Sequence, residues 1–256
     1  MLHPYLDHPG PIVLAHRGGL GHAPENTMAA FESAVGLGVR YLETDAHVTR
    51  DGVVVAFHDD RLDRVTDATG KIADLTFAEV SSARMEGGHR VPRLDELLGA
   101  WPDVRFNIDP KSDAAAEAMP GLLRRVGVGL DRVCFGAFSD RRLARLRAAL
   151  GPDVCTSMGP REVARLRLGS WGLPVGGFAA RCCQVPVRQG ILPVADARFV
   201  AAAHRRGLPV HVWTVNDPAE MTRLLDLGVD GLVTDYPARA QALIAARSAT
   251  APTTSH

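Results

Sequence analysis

Apolar and β-branched residues come in short runs along this chain. Each run gives way to a stretch whose apolar positions recur at helical spacing. The runs fall at 12–16, 41–48, 105–109, 133–138, 153–158, 178–185, 209–215 and 231–235, which predicts eight strands. Helical patterns occupy 25–37, 93–100, 114–126, 140–150, 160–168, 195–206 and 218–227, and 238–247 closes the series. Gly or Pro marks the ends, as in Leu37-Gly38, Arg206-Gly207-Leu208-Pro209 and Leu227-Gly228. Pro24-Glu25 is expected to open the first helix and Pro218 a late one, at the favoured first-turn position.

Eight strands, each followed by a helix, require a parallel sheet. The count and the length of 256 residues favour a (β/α)8 TIM barrel, with a small β-hairpin extension and a short insertion after the second strand. An open doubly wound sheet is the rival, and it needs fewer units. One domain is expected, with its core at 11–247 and a small, polar, disordered tail at 248–256. In a barrel, residues i and i+2 share a face, and inward side chains at the strands' C-terminal ends line the reaction chamber.

Composition narrows the partners. A hydrophobic content of 46% supplies a large core, and a net charge of zero gives no general attraction to nucleic acid or anionic membrane. The first ten residues lack the basic start and apolar core of a signal peptide, and no apolar run approaches the roughly 18–20 residues of a membrane span. Cys134, Cys155, Cys182 and Cys183 form no CxxC pair and read as buried thiols in a reducing compartment. A cytoplasmic protein with no stable membrane insertion is expected. Only Lys71 and Lys111 are lysines among 29 basic side chains, so a lysine here is a marked choice.

The strand ends carry the chemistry. Glu43 and Asp45 lie two apart and share a face, where two carboxylates repel unless a proton, cation or basic group intervenes. The next main strand places Asn107, Asp109 and Lys111 on one face. Each carboxylate alone serves equally well to cap a loop. Three at matching depth on neighbouring strands, Glu43, Asp45 and Asp109, point instead to all-oxygen ligation of one divalent cation, Mg²⁺ or Ca²⁺.

Asp51-Gly52 between two β-prone runs signals a hairpin. A two-residue loop pairs Val48 with Val55, Ala46 with Phe57 and Asp45 with His58, which sets His58 over the carboxylates. His16 ends the first strand and approaches from the other side, with Arg17 beside it. Two histidines, an arginine, a lysine and a cation suit phosphate-ester cleavage: Arg17 and the metal hold phosphate oxygens while the imidazoles move protons. His3, His8 and His256 are terminal, and His89 and His204 fall in a loop and on a helix face. His47 and His211 serve packing or chemistry alike, and His22 lies in a loop rimming the mouth.

These residues resemble the glycerophosphodiester phosphodiesterase family. His16-Arg17-Gly18 followed by Pro24-Glu25-Asn26-Thr27 is similar to its HRG…PENT signature, and Glu43-Thr44-Asp45, Asp51-Gly52 and Phe57-His58-Asp59 to its E-x-D…DG…HD block. Residues 91–98, 212–216 and 230–237 resemble later signatures, so the likeness spans about 11–245 in order. It implies His16 and His58 as the acid/base pair, Arg17 as phosphate ligand, Glu43 and Asp45 as metal ligands, and a third carboxylate with a basic partner two residues on, matching Asp109 and Lys111. The family commonly has glutamate where this chain has Asp109, which bears on metal preference. Glu25 and Asn26 either cap the first helix or orient His16 and Arg17; Trp213 packs the alcohol or plugs the barrel; Asn216, Thr234 and Asp235 serve equally as loop anchors.

The expected activity is metal-dependent hydrolysis of a small glycerophosphodiester to glycerol 3-phosphate and an alcohol. The alternatives are a lysophospholipase D or sphingomyelinase D-like lipid phosphodiesterase, which calls for an exposed apolar rim, a phosphosugar isomerase, and a non-catalytic phosphate-ester-binding barrel.

Overall fold

A strand apolar at every position, such as Ile12-Val13-Leu14-Ala15, must be covered on both faces, and parallel strands between helices meet that need. In the computed structural model, which describes residues 2–250, the chain runs β1 (Ile12–His16), α1 (Met28–Gly36), β2 (Tyr41–Val48), β3 (Val54–Ala56), α2 (Phe77–Ser82) and α3 (Leu94–Ala100). It continues through β4 (Arg105–Pro110), α4 (Asp113–Val126), β5 (Val133–Phe135), α5 (Asp140–Leu150), β6 (Cys155–Thr156) and α6 (Pro160–Ser170). The last third holds β7 (Cys183–Pro186), β8 (Arg188–Gln189), β9 (Leu192–Pro193), α7 (Ala197–His204), β10 (Val210–Trp213), α8 (Pro218–Asp226), β11 (Gly231–Thr234) and α9 (Pro237–Thr250).

Eight parallel strands form one curled sheet in the order β6-β5-β4-β2-β1-β11-β10-β7, with β3 antiparallel on β2. The two outer strands come together at a single parallel bridge, Ser157–Cys182, flanked by hydrogen bonds from Arg181 N to Thr156 O and Met158 N to Cys182 O. Helices are started by side-chain caps: Thr27, Ser112, Ser139, Asp196 and Asp217 each accept a backbone N–H in the first turn of the helix that follows. At the strands' amino ends, a short 3₁₀ turn at Pro4–Leu6 drives Tyr5 among Ile12, Leu14, Tyr41, Cys134, Cys155, Cys182 and Val233 and plugs the sheet's interior.

Three expectations need correction. The first helix begins at Met28 with Thr27 as its cap, because Asn26 turns into the left-handed region (φ +56°), so neither Pro24 nor Glu25 opens it. The hairpin pairs Val48 with Val54 and Ala46 with Ala56, one residue out from the expected register, and Phe57 N donates to Asp45 O. The cause is a three-residue loop, Arg50-Asp51-Gly52, in which Gly52 takes φ +82° while Thr49 N donates to Val53 O. A small apolar cluster (Phe57, Leu62, Ile72, Val80, Met85) then organises the insertion, and an additional β8–β9 hairpin follows β7. Of the expected tail, 248–250 belong to α9 and 251–256 lie outside the described residues.

Candidate active site

Register places the polar residues in layers. His16 pairs with Glu43 and Glu43 with Asn107; one step further along β2, Asp45 pairs with Asp109. These side chains line one cavity of about 760 Å³ at the strands' carboxyl ends, together with Arg17, His58, Lys111 and Trp213. The structure therefore brings together eight of the ten residues expected at the site as cavity lining. Glu25 and Asn26 reach it through their partners.

Directly after β1 the backbone turns sharply. Arg17 adopts φ +53°, unusual for a side-chain-bearing residue. Gly18 follows at φ +87°, where an added Cβ would lie 2.8 Å from Ala30 Cβ, so only glycine fits against α1. The turn aims the Arg17 backbone N–H at Glu43 Oε2 (3.1 Å) and its Nη1 at Glu25 Oε1 (3.0 Å). Arg17 Nε lies 3.2 Å from Asp45 Oδ2 but off the hydrogen-bonding direction, which leaves a buried N–H without an acceptor. Asn26 N donates to Arg17 O, and the Asn26 side chain bridges Thr44 Oγ1 and Asp45 Oδ2. Glu25 and Asn26 thus brace the arginine and the carboxylates; the helix cap is Thr27.

The carboxylates sit under strong mutual influence. Burial and the neighbouring Asp45 charge push the Glu43 carboxyl up to about 7. Lys111 Nζ lies 2.8 Å from Asp45 Oδ1 and 2.7 Å from Asp109 Oδ2. Burial raises the Asp109 carboxyl against the opposing pull of Lys111; burial alone would lower the Lys111 ammonium, but Asp45 and Asp109 hold it above its ordinary value.

His16 Nδ1 meets Asp235 Oδ1 at 2.6 Å, and its Nε2 stands 4.0 Å from Glu43 Oε2. Burial would lower this imidazole's pKa; the Asp235 hydrogen bond and the Glu43 charge outweigh it and raise it. Asp235 is itself held by Asn216 Nδ2 (2.6 Å), while Asn216 Oδ1 accepts from Thr234 Oγ1 and Asp235 N. His58 lies beyond β3 in a bend, so the loop and not the strand register delivers it to the cavity. Its carbonyl meets His47 Nε2 at 3.0 Å and its Nδ1 meets Asp59 Oδ1 at 2.6 Å. Arg64 clamps Asp59 with Nε and Nη2, lowering that carboxyl to about 2, and also reaches both oxygens of Glu25. An unbroken chain, Asp45–Arg17–Glu25–Arg64–Asp59–His58, therefore links the β2 carboxylates to the second histidine.

Among the described residues, the other histidines stay apart from this cavity. His47 backs the hairpin, His211 is buried and lies 3.5 Å from Gln184 Nε2, and His22 lines a separate cavity beside Gly18 and Tyr236. Sequence reasoning missed the orienting roles of Asp235, Asp59 and Arg64, and it missed Gln184, which donates to Asn107 Oδ1 in the cavity floor. Asp235 was within reach, since it follows the strand that closes onto β1. Arg64 carries no local signal.

Paired imidazoles, each bonded to a carboxylate, stand beside clustered carboxylates and an arginine on a curled parallel sheet, an arrangement suited to phosphate-ester cleavage. A profile of the glycerophosphoryl diester phosphodiesterase family matches residues 16–239, and the chain belongs to that family. It is 38% identical over 242 residues, 90% of this chain and 89% of the relative, to a Mycobacterium tuberculosis protein named "Probable glycerophosphodiester phosphodiesterase 2". Among solved structures it resembles a glycerophosphodiester phosphodiesterase from Agrobacterium tumefaciens (TM-score 0.76, 26% identity, 91% of this chain and 99% of that one). It also resembles an Oleispira antarctica phosphodiesterase in complex with the product sn-glycerol-3-phosphate (TM-score 0.76, 25% identity, 92% and 97%).

Proposed function

We propose that this chain hydrolyses glycerophosphodiesters to glycerol 3-phosphate and an alcohol, with His16 and His58 as the proton-transfer pair. The observation that carries the reading is that both histidines, each oriented through Nδ1 by a carboxylate, line the cavity that holds Glu43, Asp45 and Asp109. One imidazole takes the proton of the nucleophile, either water or the neighbouring glycerol hydroxyl, and the other returns a proton to the leaving alkoxide. The Arg17 guanidinium and the Lys111 ammonium, both lining the cavity, face charge that builds on the phosphoryl oxygens. Trp213, packed edge-to-face on Phe138 at 5.3 Å, offers an apolar wall to an alcohol or glycerol moiety.

Glu43, Asp45 and Asp109 fit a hard divalent cation, Mg²⁺ or Ca²⁺: the donors are all oxygen and all three line one cavity. Bound there, the ion supplies Lewis-acid stabilisation of the phosphoryl charge. Among the described residues no helix is long and apolar enough to cross a membrane. A cytoplasmic site, a single domain, a closed (β/α)8 barrel with β2–β3 as its hairpin extension, and no nucleic-acid partner complete the reading.

One observation favours a second reading, in which the diester carries an acyl chain. The cavity continues past the carboxylates along Met158, Val163, Trp171, Leu192 and Val194, and Phe138, Trp171 and Leu192 are 60% or more exposed at its rim. The test is a panel of glycerophosphocholine, -ethanolamine, -inositol and -glycerol beside lysophosphatidylcholine, each with Mg²⁺ or Ca²⁺ and with chelator. Glycerol 3-phosphate release that chelator stops reversibly supports the first reading. Cleavage of the lysolipid alone moves the assignment to the second, and cleavage of none rejects both.

A further inference from the structure

Beneath the acid–base cavity, in the cluster that shares Val233 and Trp213 with its lining, three cysteines come together. Cys134 on β5 pairs in register with Cys155 on β6, and Cys182 makes the bridge that joins β7 to β6. All three are fully buried, and their Sγ atoms lie within 4.8 Å of one another, with Cys134 and Cys182 at 3.9 Å. Thiolates bound at about 2.3 Å to one tetrahedral or trigonal ion stand about 3.8–4.0 Å apart, so this cluster needs at most a small contraction. A disulfide would take two of the three sulfurs and strand the third.

A second observation points the same way. Tyr5, fully buried in the same cluster, has a hydroxyl with no hydrogen-bond partner. A phenolic hydroxyl is a hydrogen-bond donor. A neutral thiol is a weak acceptor, and an unpaired buried hydroxyl is costly. A metal-bound thiolate gives the hydroxyl an anionic acceptor, and the hydroxyl in turn offsets the negative charge of the sulfur.

We propose that Cys134, Cys155 and Cys182 form a structural site for one thiophilic d¹⁰ cation, Zn²⁺, with Tyr5 as hydrogen-bond donor to its sulfurs. Sulfur donors exclude Mg²⁺ and Ca²⁺, so the site is chemically distinct from the carboxylate cluster. Loading exchanges three thiol protons for the ion, Zn²⁺ + 3 RSH → [Zn(SR)₃]⁻ + 3 H⁺, with no change of oxidation state. The ion ties β5, β6 and β7 together where the curled sheet closes through a single bridge, and it anchors the Tyr5 plug beneath them.

The test uses the full chain, refolded with Zn²⁺ or Co²⁺, desalted into transition-metal-free buffer with excess Mg²⁺ to displace oxygen-bound ions, and compared with the chain refolded without metal. About one zinc per chain should remain, a sulfur-to-cobalt charge-transfer band should develop in the near ultraviolet, and zinc should raise Tm. Cys155→Ala should lose all three effects, whereas Cys183→Ala, whose sulfur points to Met158 Sδ instead, should keep them. Tyr5→Phe should fold, bind Co²⁺ and release it faster. Refolded wild type with no retained zinc and no cobalt–sulfur band overturns the proposal, as does a Cys134–Cys182 disulfide in the protein refolded with Zn²⁺ in the absence of reductant. If Cys155→Ala does not fold, the wild-type cobalt spectrum and the Tm difference with and without zinc still decide.

Discussion

The imidazole of His16 and the carboxylate of Asp235, 219 positions apart in the chain, meet at 2.6 Å across the seam between β1 and β11. The contact fixes which imidazole nitrogen is engaged and leaves Nε2 facing Glu43 and the cavity. It also couples the histidine's ionisation to a residue that need not touch substrate.

Replacing Asp235 with Asn removes the largest influence that raises the His16 pKa. The limb of the pH–rate profile that belongs to His16 should therefore move to lower pH, whether His16 acts as base or as acid. The profile of kcat/KM for glycerophosphocholine checks this. An unshifted profile with only a lower plateau would mean that Asp235 serves packing alone.

Arg64 reaches both Asp59 and Glu25 with bidentate geometry that lysine cannot reproduce. Arg64→Ala should lower kcat by roughly 10–100-fold, the usual cost of losing an orienting partner behind a functional group. Arg64→Lys should recover only part of it. Steady-state kinetics on both variants test the claim, and wild-type kcat in Arg64→Ala contradicts it.

Glu162 ties the start of α6 to the loop before β7, accepting from Arg147 and from the backbone of Gly159, Ala179 and Ala180. Burial would raise its carboxyl, yet Arg147 and these amides hold it below its ordinary value. A depressed carboxylate stabilises the fold above its unfolded pKa of about 4.3, and that contribution is lost as pH falls through the lower folded value. Glu162→Gln should be less stable than wild type by about 1–3 kcal/mol at neutral pH. The gap should narrow below pH of about 4 in denaturant titrations.

Much of this fold was legible because its signals are local and periodic. Eight buried runs separated by helical stretches specify a parallel sheet, and the two-residue spacing of Glu43-Asp45 and Asn107-Asp109 specifies which side chains converge. The hairpin register was not legible. Asp51-Gly52 is compatible with a two- or three-residue loop, and that choice shifts every pair by one. His58 reached the cavity nonetheless, because it lies beyond the paired strand. The orienting contacts were hidden for a different reason. Asp235 and Arg64 act across the fold, and no local pattern couples them to His16 or His58. The β8–β9 hairpin, with Ile191 89% exposed at its tip, carries no apolar alternation to announce it.

The most direct test of the two-histidine claim compares His16→Ala and His58→Ala on two glycerophosphodiesters. One releases choline, a poor leaving group, and the other releases p-nitrophenol, which departs without help from a proton. Both variants should lose roughly 10²–10⁴-fold on the choline ester. On the nitrophenyl ester one variant, lacking the general acid, should regain most of its rate, while the other, lacking the base, should stay impaired. Near-wild-type cleavage of glycerophosphocholine by either variant would contradict the assignment.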